Sequence, residues 1–409
     1  MKTRLLIISF DAVGDKVFDR IAAMPNTAAF LRKAALVRDV SSVFLTNTYP
    51  IHASVVTGFP QAEHGLISNT SAFPERHPAW HYRASCIRKK TLWQAAAEQG
   101  LSVAAVLWPA TGGSAEIKWN IPEMFPRPGD NQMLLNLKNG SKLTQLRLWL
   151  RYRHLLEGIT QPGRDRFAAA CMVDILRRRP GLALMHFTAY DGLCHQHGED
   201  FSILDKALAV MDEGLGKMLE AVGEETPVIL FSDHAQLPVE HTILPNDTLV
   251  DMGLLIRKEE GAYQPGESGC YIECCGGAAF LHPGKLENIE PLRRKLEESP
   301  GFNRWLRAEE MRACGRGTLP AGFCPLPGYQ YEAYNSGEKG QHGYPEDYEN
   351  YKVFYAVRGP AIAGGRQFRG GSLLDIAPLA LRLLGEGLPP EKAPYIPGLS
   401  PARNDLFGL

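Results

Sequence analysis

The chain has 409 residues, of which 44% are hydrophobic and 22% are charged, a composition typical of a globular protein with enough chain for a large core. Its 44 Lys and Arg residues balance 45 Asp and Glu residues, and the net charge of −1 argues against a general nucleic-acid binder, which would carry a basic excess. Eight cysteines are too few for a disulfide scaffold.

The first apolar run, residues 5–10, follows two basic residues and ends at Asp11. It is too short for the apolar region of a signal peptide, so we interpret it as a buried strand and expect a cytoplasmic protein. No run in the sequence reaches the roughly 18 apolar residues that a transmembrane helix needs.

Short apolar runs then alternate with helical patterns along the chain. This alternation predicts an α/β fold with a mostly parallel central sheet flanked by helices. The predicted strands are 5–10, 102–107, 182–187, 228–231 and 353–357, and the predicted helices are 91–99, 166–178, 204–222 and 373–384.

Two segments interrupt this alternation. Residues 115–165 are rich in Pro, Gly, Asn and Arg and include a basic amphipathic stretch at 142–156. We interpret them as a cap-like insertion with a solvated face, and a membrane-surface helix is the alternative. Residues 236–335 combine short strands, a charged helix around 286–298 and Gly/Pro-rich loops, which predicts an inserted smaller α+β subdomain. The catalytic core is then 1–235 and 336–409.

Polar residues stand where the predicted strands end. Each one alone is an ordinary turn or capping residue, but the carboxyl ends of parallel strands meet at one edge of a sheet, where ligands bind. Three carboxylates and three imidazoles at that edge would repel one another or stay unsatisfied without cations between them. The six residues are Asp11, Asp191, His195, Asp233, His234 and His342.

These six side chains divide into two sets of three ligands. Oxygen and imidazole ligands without thiolates favour zinc, with manganese or iron as alternatives. Two divalent cations about 3.5–4 Å apart can clamp the attacking and leaving oxygens of a phosphoryl transfer. The sequence therefore predicts a two-metal hydrolase of phosphate esters.

A candidate nucleophile is Thr48, in the segment Thr-Asn-Thr-Tyr-Pro-Ile-His that spans residues 46–52. Pro50 favours the start of a helix, which we expect to run to about Thr57. Thr48 would then stand at the helix N-terminus, where backbone amides favour an anion. It is either a simple cap or a hydroxyl that a metal activates.

Five separated motifs together resemble the nucleotide pyrophosphatase/phosphodiesterase family of the alkaline phosphatase superfamily. They occur in the family's order and are Phe10-Asp11, Thr48-Tyr49-Pro50-x-His52, Asp191-x-x-x-His195, Ser232-Asp233-His234 and Gly340-x-His342-Gly343. The resemblance implies an alkaline-phosphatase-like core. It also implies hydrolysis of phosphodiester or nucleotide pyrophosphate bonds through a covalent phospho-threonine intermediate.

The resemblance also implies a role for each motif. One zinc ion would be held by Asp191, His195 and His342, and the other by Asp11, Asp233 and His234, with Thr48 bridging to the second ion as the nucleophile. Asn69 matches the family's asparagine that hydrogen-bonds a phosphate oxygen, and Tyr49 falls where the family stacks an aromatic ring on a nucleobase.

Two positions depart from the family's pattern. Asn47 replaces a lysine that many members carry, and His186 stands where nucleotide-cleaving members often have a second stacking tyrosine, so that the substrate-contacting set would be Tyr49, Asn69 and His186. We expect the partner to be a small-molecule phosphate ester, with a nucleotide as one option, and no nucleic-acid polymer.

The charge around Thr48 favours diesters over monoesters. Residues 41–72 contain no Lys or Arg, and a monoester dianion usually requires an additional guanidinium group. An arginine of the cap, such as Arg147 or Arg151, could supply one. The alternatives are a phosphomonoesterase or a phosphonate hydrolase of the phosphonoacetate hydrolase type and, in another functional class, a silent relative that only binds anions.

Overall fold

The computed structural model describes residues 3–157, 160–258 and 261–385. Its strands are, in chain order, Leu5–Phe10 (β1), Ala35–Val40 (β2), Val103–Val106 (β3), Ile117–Ile121 (β4), Leu182–Phe187 (β5), Val228–Ser232 (β6), Leu237–Ile243 (β7), Leu255–Arg257 (β8), Tyr263–Pro265 (β9), Tyr271–Cys274 (β10), Ala279–His282 (β11), Phe302–Trp305 (β12), Ala321–Pro325 (β13), Gly328–Tyr331 (β14), Gly340–Gln341 (β15), Val353–Arg358 (β16) and Gln367–Arg369 (β17).

Helices connect these strands. They are Asp15–Ala22 (α1), Pro25–Leu31 (α2), Thr48–Thr57 (α3), Gln61–His64 (α4), Leu92–Glu98 (α5), Gln132–Asn139 (α6), Lys142–Tyr152 (α7), Gly163–Leu176 (α8), Ala189–His197 (α9), Phe201–Val222 (α10), Pro245–Asp251 (α11), Glu290–Glu297 (α12), Ala308–Ala313 (α13) and Ile376–Leu384 (α14). Short 3₁₀ turns are Ala84–Cys86, Arg153–Leu155 and Leu373–Asp375. Among the described residues, no helix combines the length and the apolar character needed to cross a membrane.

The central sheet has eight strands in the order β17-β2-β16-β6-β1-β5-β3-β4. Every neighbouring pair is parallel except the two pairs that contain β16, which is antiparallel to both β6 and β2. Helices cover both faces: α8 and α10 pack in one hydrophobic core, and α3, α5 and α14 pack in the other. The predicted α/β fold with a mostly parallel sheet is confirmed.

The predicted elements agree with the structure where a strand is buried on both faces. β1, β5, β6 and β16 are buried along their whole length, and such strands are continuous apolar runs. The sequence analysis missed β2, β4 and β17, which lie at or next to the edges of the sheet. Their polar and apolar residues are mixed because one side or one end is partly exposed.

A second, antiparallel sheet has the strand order β10-β11-β13-β12 and lies within the range predicted as an inserted subdomain. Its core includes residues of α11 and α12. In the range predicted as a cap, β4 extends the central sheet, whereas α6 and α7 lie beyond it. The basic stretch predicted at 142–156 corresponds to α7 and the 3₁₀ turn that follows.

A buried ion pair connects the second sheet to the segment that leads to Asn69. Arg316 Nε donates to Glu273 Oε2 at 3.1 Å, and Arg316 Nη1 donates to the carbonyl of Ile67 at 2.9 Å. Arg316 and Glu273 are only 2% and 4% exposed, respectively. Burial opposes ionisation of Glu273, but the Arg316 charge outweighs it and lowers the pKa of the carboxyl to about 2.

Arg316→Met should lower the free energy of unfolding by about 3 kcal/mol, because the substitution leaves Glu273 buried without its cation. Urea unfolding measures this loss. Lys295→Met is the matched control, since Lys295 pairs with Glu298 on the surface. The difference in unfolding free energy between the wild type and Arg316→Met should become smaller in acid. In the wild type, the Glu273 carboxylate stabilises the fold above its ordinary pKa of 4.5, and this contribution is lost as the pH falls towards about 2. Equal effects of both substitutions would contradict the prediction.

Candidate active site

The predicted ligand residues meet at the carboxyl edge of the central sheet. Asp11 follows β1, Asp233 and His234 follow β6, and Asp191 lies on α9 directly after β5. β16 runs opposite to its neighbours, so its N-terminal end lies at this same edge. The segment that precedes β16 therefore carries His342 to the ends of the other strands.

The first cluster consists of Asp11, Asp233 and His234, which are all buried. His234 Nε2 lies 3.3 Å from Asp11 Oδ1 and 3.4 Å from Asp233 Oδ2. The other oxygen, Asp233 Oδ1, accepts backbone hydrogen bonds from Ala12 at 3.1 Å and His234 at 2.9 Å. These bonds orient the carboxylate so that its Oδ2 faces the cluster.

The second cluster consists of Asp191, His195 and His342. Asp191 and His195 are four residues apart on α9, as the spacing predicts for one helix face, and His195 Nε2 lies 3.4 Å from Asp191 Oδ1. The N-terminus of α9 is held by the buried Asp165, whose Oδ2 accepts hydrogen bonds from the backbone of Thr188 and Ala189 at 2.9 and 2.8 Å. The rings of His342 and His234 are 4.2 Å apart, so the two clusters adjoin.

Each of the three histidines has a polar partner at Nδ1. His342 Nδ1 lies 3.1 Å from Asn47 Oδ1, His234 Nδ1 lies 3.3 Å from the carbonyl of Ala235, and His195 Nδ1 lies 3.4 Å from Glu338 Oε2. A proton held on Nδ1 leaves Nε2 with a lone pair, as in many metal sites. Asn47, which departs from the family's lysine, thus orients a predicted ligand.

Placing the groups of the two clusters together in the interior shifts four of their pKa values towards the uncharged forms. Burial, aided by the charges of Asp191 and Asp233, raises the pKa of Asp11 well above its ordinary value, and burial raises the pKa of Asp233 to about 6. Burial also lowers the pKa of His234 to about 4 and that of His342 well below its ordinary value. Both imidazoles are therefore neutral at pH 7, which is the form that binds metals.

The residues fit a pair of cations. Asp11 Oδ1 and Asp233 Oδ2 are buried and accept no hydrogen bond from any described residue, although buried oxygens normally have a partner. In the second cluster, the charge of Asp191 outweighs burial and raises the pKa of His195 well above its ordinary value. A proton on His195 balances Asp191 there, and a bound cation would provide the same balance.

Thr48 is the first residue of α3, which ends at Thr57 as predicted. Its Oγ1 lies 3.2 Å from His234 Nε2, beside the first cluster. Asn69 Oδ1 accepts a hydrogen bond from the backbone of Tyr49 at 2.9 Å, so the Asn69 amide group is the part left to donate to an anion. The Tyr49 hydroxyl donates to the carbonyl of Glu123 at 3.2 Å.

His186 lies behind Asp11 rather than along the cavity. Its Nε2 lies 3.1 Å from Asp11 Oδ2, and its Nδ1 lies 3.1 Å from the carbonyl of Leu107. Together with His52 and Asp233 it forms a third grouping of potential ligand atoms. Burial lowers the pKa of both histidines to about 3. The substrate contact predicted for His186 stays a prediction, and its observed contact is with a predicted metal ligand.

A cavity of about 560 Å³ opens onto both clusters, Thr48 and Asn69. The residues that line it but were not identified from the sequence include Trp80, Glu123, Phe125 and Arg164. Trp80 and Phe125 are stacked with their ring centroids 4.0 Å apart. These residues come from loops and from the first turn of α8, where the sequence analysis predicted neither a strand end nor a motif.

The cap arginines named from the sequence are engaged elsewhere. Arg147 and Arg151 both donate to the carboxylate of Asp174, at 2.6 and 3.1 Å. Arg164 is the arginine that lines the cavity, and its Nε is buried without a hydrogen-bond partner among the described residues. The charge argument from residues 41–72 therefore has to include one guanidinium from α8.

Comparison with known proteins agrees with this arrangement. The sequence profile of a family described as type I phosphodiesterase / nucleotide pyrophosphatase matches residues 5–349. Human bis(5'-adenosyl)-triphosphatase is 23% identical over 403 residues, covering 93% of this chain and 78% of that protein. Human ectonucleotide pyrophosphatase/phosphodiesterase family member 5 is 21% identical, covering 93% and 74%.

Solved structures share the fold. Murine ectonucleotide pyrophosphatase/phosphodiesterase 5, in a structure described as an inactive threonine-to-alanine variant in complex with AMP, matches with a TM-score of 0.65 at 16% identity, covering 95% of this chain and 96% of that one. The human protein matches with the same TM-score at 18% identity. The alkaline-phosphatase-like architecture predicted from the sequence is confirmed.

We expect the purified protein to bind two equivalents of Zn²⁺, and Asp191→Asn to bind one, because the substitution removes a ligand of the second cluster only. Metal analysis after equilibrium dialysis counts the ions. His186→Gln is the control and should retain two equivalents, since His186 belongs to neither predicted set. Loss of one equivalent of Zn²⁺ in His186→Gln would contradict the prediction, because it would show that the third grouping holds one of the ions.

Proposed function

The chain belongs to the type I phosphodiesterase / nucleotide pyrophosphatase family, and we propose that it hydrolyses phosphodiester or nucleotide pyrophosphate bonds with two divalent cations and Thr48 as the nucleophile. Membership of this family makes the protein a hydrolase of phosphoric ester bonds. The metals, the covalent intermediate and the roles of individual residues form the proposal.

One observation carries it: Thr48 Oγ1 lies 3.2 Å from His234 Nε2, at the N-terminus of a ten-residue helix and in the wall of the cavity. A hydroxyl used only as a cap would bond the backbone of its own helix, and Asn47 rather than Thr48 occupies the capping position of α3. The Thr48 hydroxyl instead faces the groups that would hold a cation.

The reaction follows from this placement. Divalent cations in the two clusters would lower the pKa of the Thr48 hydroxyl and neutralise oxygens of the phosphate. Thr48 Oγ1 gives up its proton to solvent and attacks phosphorus, the bond to the leaving oxygen breaks, and that oxygen takes up a proton from water. Asn69 donates from its amide to a non-bridging oxygen. Water then cleaves the phospho-threonine and restores the hydroxyl.

The similar murine structure supports a nucleotide as one substrate class, because that protein is described with AMP and as inactive without its threonine. In this chain the Trp80–Phe125 pair lies beside Thr48 and Asn69 in the cavity. A flat aromatic surface of this kind stacks well on a nucleobase. We propose this pair as the base-contacting surface, with the fully buried Tyr49 ring packed against Trp80 at a centroid distance of 5.3 Å.

A second candidate, phosphomonoester or phosphonate hydrolysis, is favoured by Arg164. A terminal phosphate dianion carries one more charge than a diester, and a guanidinium group in the cavity can balance it. However, Arg164 shares the cavity with Glu338, whose carboxylate reduces the positive potential that the guanidinium group creates. Diester hydrolysis therefore remains our proposal.

Thr48→Ala should reduce turnover of a chromogenic phosphodiester by about 10³-fold or more, because the covalent route is lost. The fold and the metal content should stay unchanged. Thr57→Ala is the matched control: Thr57 is buried at the other end of the same helix and its hydroxyl donates to the carbonyl of Ala53 at 2.7 Å. Steady-state kinetics with metal analysis makes the comparison, and near-normal turnover of Thr48→Ala would leave Thr48 as a structural residue.

The wild-type kcat/KM should be higher for bis(p-nitrophenyl) phosphate than for p-nitrophenyl phosphate at equal metal loading. Arg164→Gln should lower kcat/KM for the monoester about tenfold more than for the diester, since the dianion depends more on the guanidinium charge. Arg166→Gln is the control because Arg166 pairs with Glu157 on the surface. A monoester cleaved as well as the diester by the wild type would favour the second candidate.

A further inference from the structure

A second cavity, of about 200 Å³, lies under the cap helices α6 and α7. Its walls are mostly apolar side chains from the cap, from β4 and from α8. The principal ones are Ile121, Met133, Leu137, Leu146, Trp149 and Phe167. Such a lining favours an apolar ligand, because burial of each methylene group contributes roughly 0.8 kcal/mol.

Apart from Glu123 and Arg164, the polar side chains that line this cavity are hydrogen-bonded within the protein. Gln132 Nε2 donates to the carbonyl of Met124 at 3.2 Å and to Asn136 Oδ1 at 2.9 Å. Gln145 Nε2 donates to the carbonyl of Asn136 at 2.8 Å. A polar ligand would have to break these bonds, whereas an apolar ligand leaves them intact.

The second cavity meets the catalytic cavity. Glu123 and Arg164 line both of them, so the two cavities adjoin at these two side chains. Burial raises the pKa of the Glu123 carboxyl to about 8, which keeps the group neutral at pH 7. The boundary between the cavities therefore has the positive charge of Arg164 and no negative charge. This charge suits an ester whose phosphate group is anionic.

The outer side of the cap is also apolar. Five of the seven large hydrophobic residues that are exposed among the described residues lie on α6 and α7: Met133, Leu134, Leu143, Leu146 and Leu150. Met133 and Leu146 belong at once to this exposed set and to the cavity lining. The apolar lining thus continues to the surface, where an apolar chain can enter.

We propose that the cavity under the cap binds an apolar alkyl or acyl group of the substrate while its phosphodiester group lies at Thr48. This inference rests on the proposed phosphodiesterase function and names a substrate class for it: phosphodiesters with a hydrocarbon chain on one ester oxygen. The phosphate supplies the reaction centre, and the cavity supplies chain-length selectivity.

The test uses p-nitrophenyl methyl, butyl and octyl phosphate with the metal-loaded protein, below the concentrations at which the octyl ester forms micelles. We expect kcat/KM to rise at least about tenfold from methyl to octyl, because each buried methylene is worth roughly fourfold in affinity. Leu146→Asn should remove most of this gain and leave the methyl ester unaffected. Leu143→Asn is the matched control, since Leu143 is exposed on the same helix and does not line the cavity.

Direct binding separates this inference from the proposed function. Calorimetry measures the affinity of the Thr48→Ala variant for octyl phosphonate and for methyl phosphonate. The variant should bind octyl phosphonate more tightly, even if no ester is hydrolysed. A methyl ester that is cleaved without any gain for octyl would overturn the inference and leave the phosphodiesterase standing. Equal losses in Leu143→Asn and Leu146→Asn would also overturn it, because they would place the leucines in a surface contact.

Discussion

The crowding of like charges at one edge of the central sheet is the constraint on which the site depends. Three carboxylates lie with three imidazoles at this edge, and four of the six side chains are buried. Burial and the neighbouring carboxylates raise the pKa values of Asp11 and Asp233. A protein accepts such a cost where a cation balances it. The backbone hydrogen bonds to Asp233 and the Nδ1 contacts of the histidines orient these side chains, as a bound cation would require.

The sequence revealed the parts of this arrangement that are tied to buried strands. β1, β5 and β6 are continuous apolar runs, so the polar residue that ends each of them stands out. His342 was identified from its place before the fifth apolar run. It reaches the same edge because β16 is antiparallel to its neighbours, which the sequence analysis did not predict. The order of strands and polar residues was therefore enough to bring together the predicted ligands that follow β1, β5 and β6, whereas the position of His342 depends on the reversal of β16.

The walls of the cavity could not be found in this way. Trp80 lies in a loop before β3, whereas Glu123, Phe125 and Arg164 lie in the chain that follows β4, and none of these segments has strand periodicity. The charge argument counted residues near Thr48 in sequence and missed Arg164, which is near it only in space. Specificity in this fold is thus the property that local sequence patterns describe least.

The reversed strand has a consequence for the order in which the molecule can be completed during synthesis. The first cluster is finished in the sequence at His234, but the second requires His342, which leaves the ribosome only after the whole second sheet has been made. A chain released before that point carries a buried cluster of acids with only part of its ligands. Contacts this distant in sequence form late in folding. Since metal affinity depends on the assembled site, we expect the chain to bind its full set of metal ions at the end of folding rather than at its beginning.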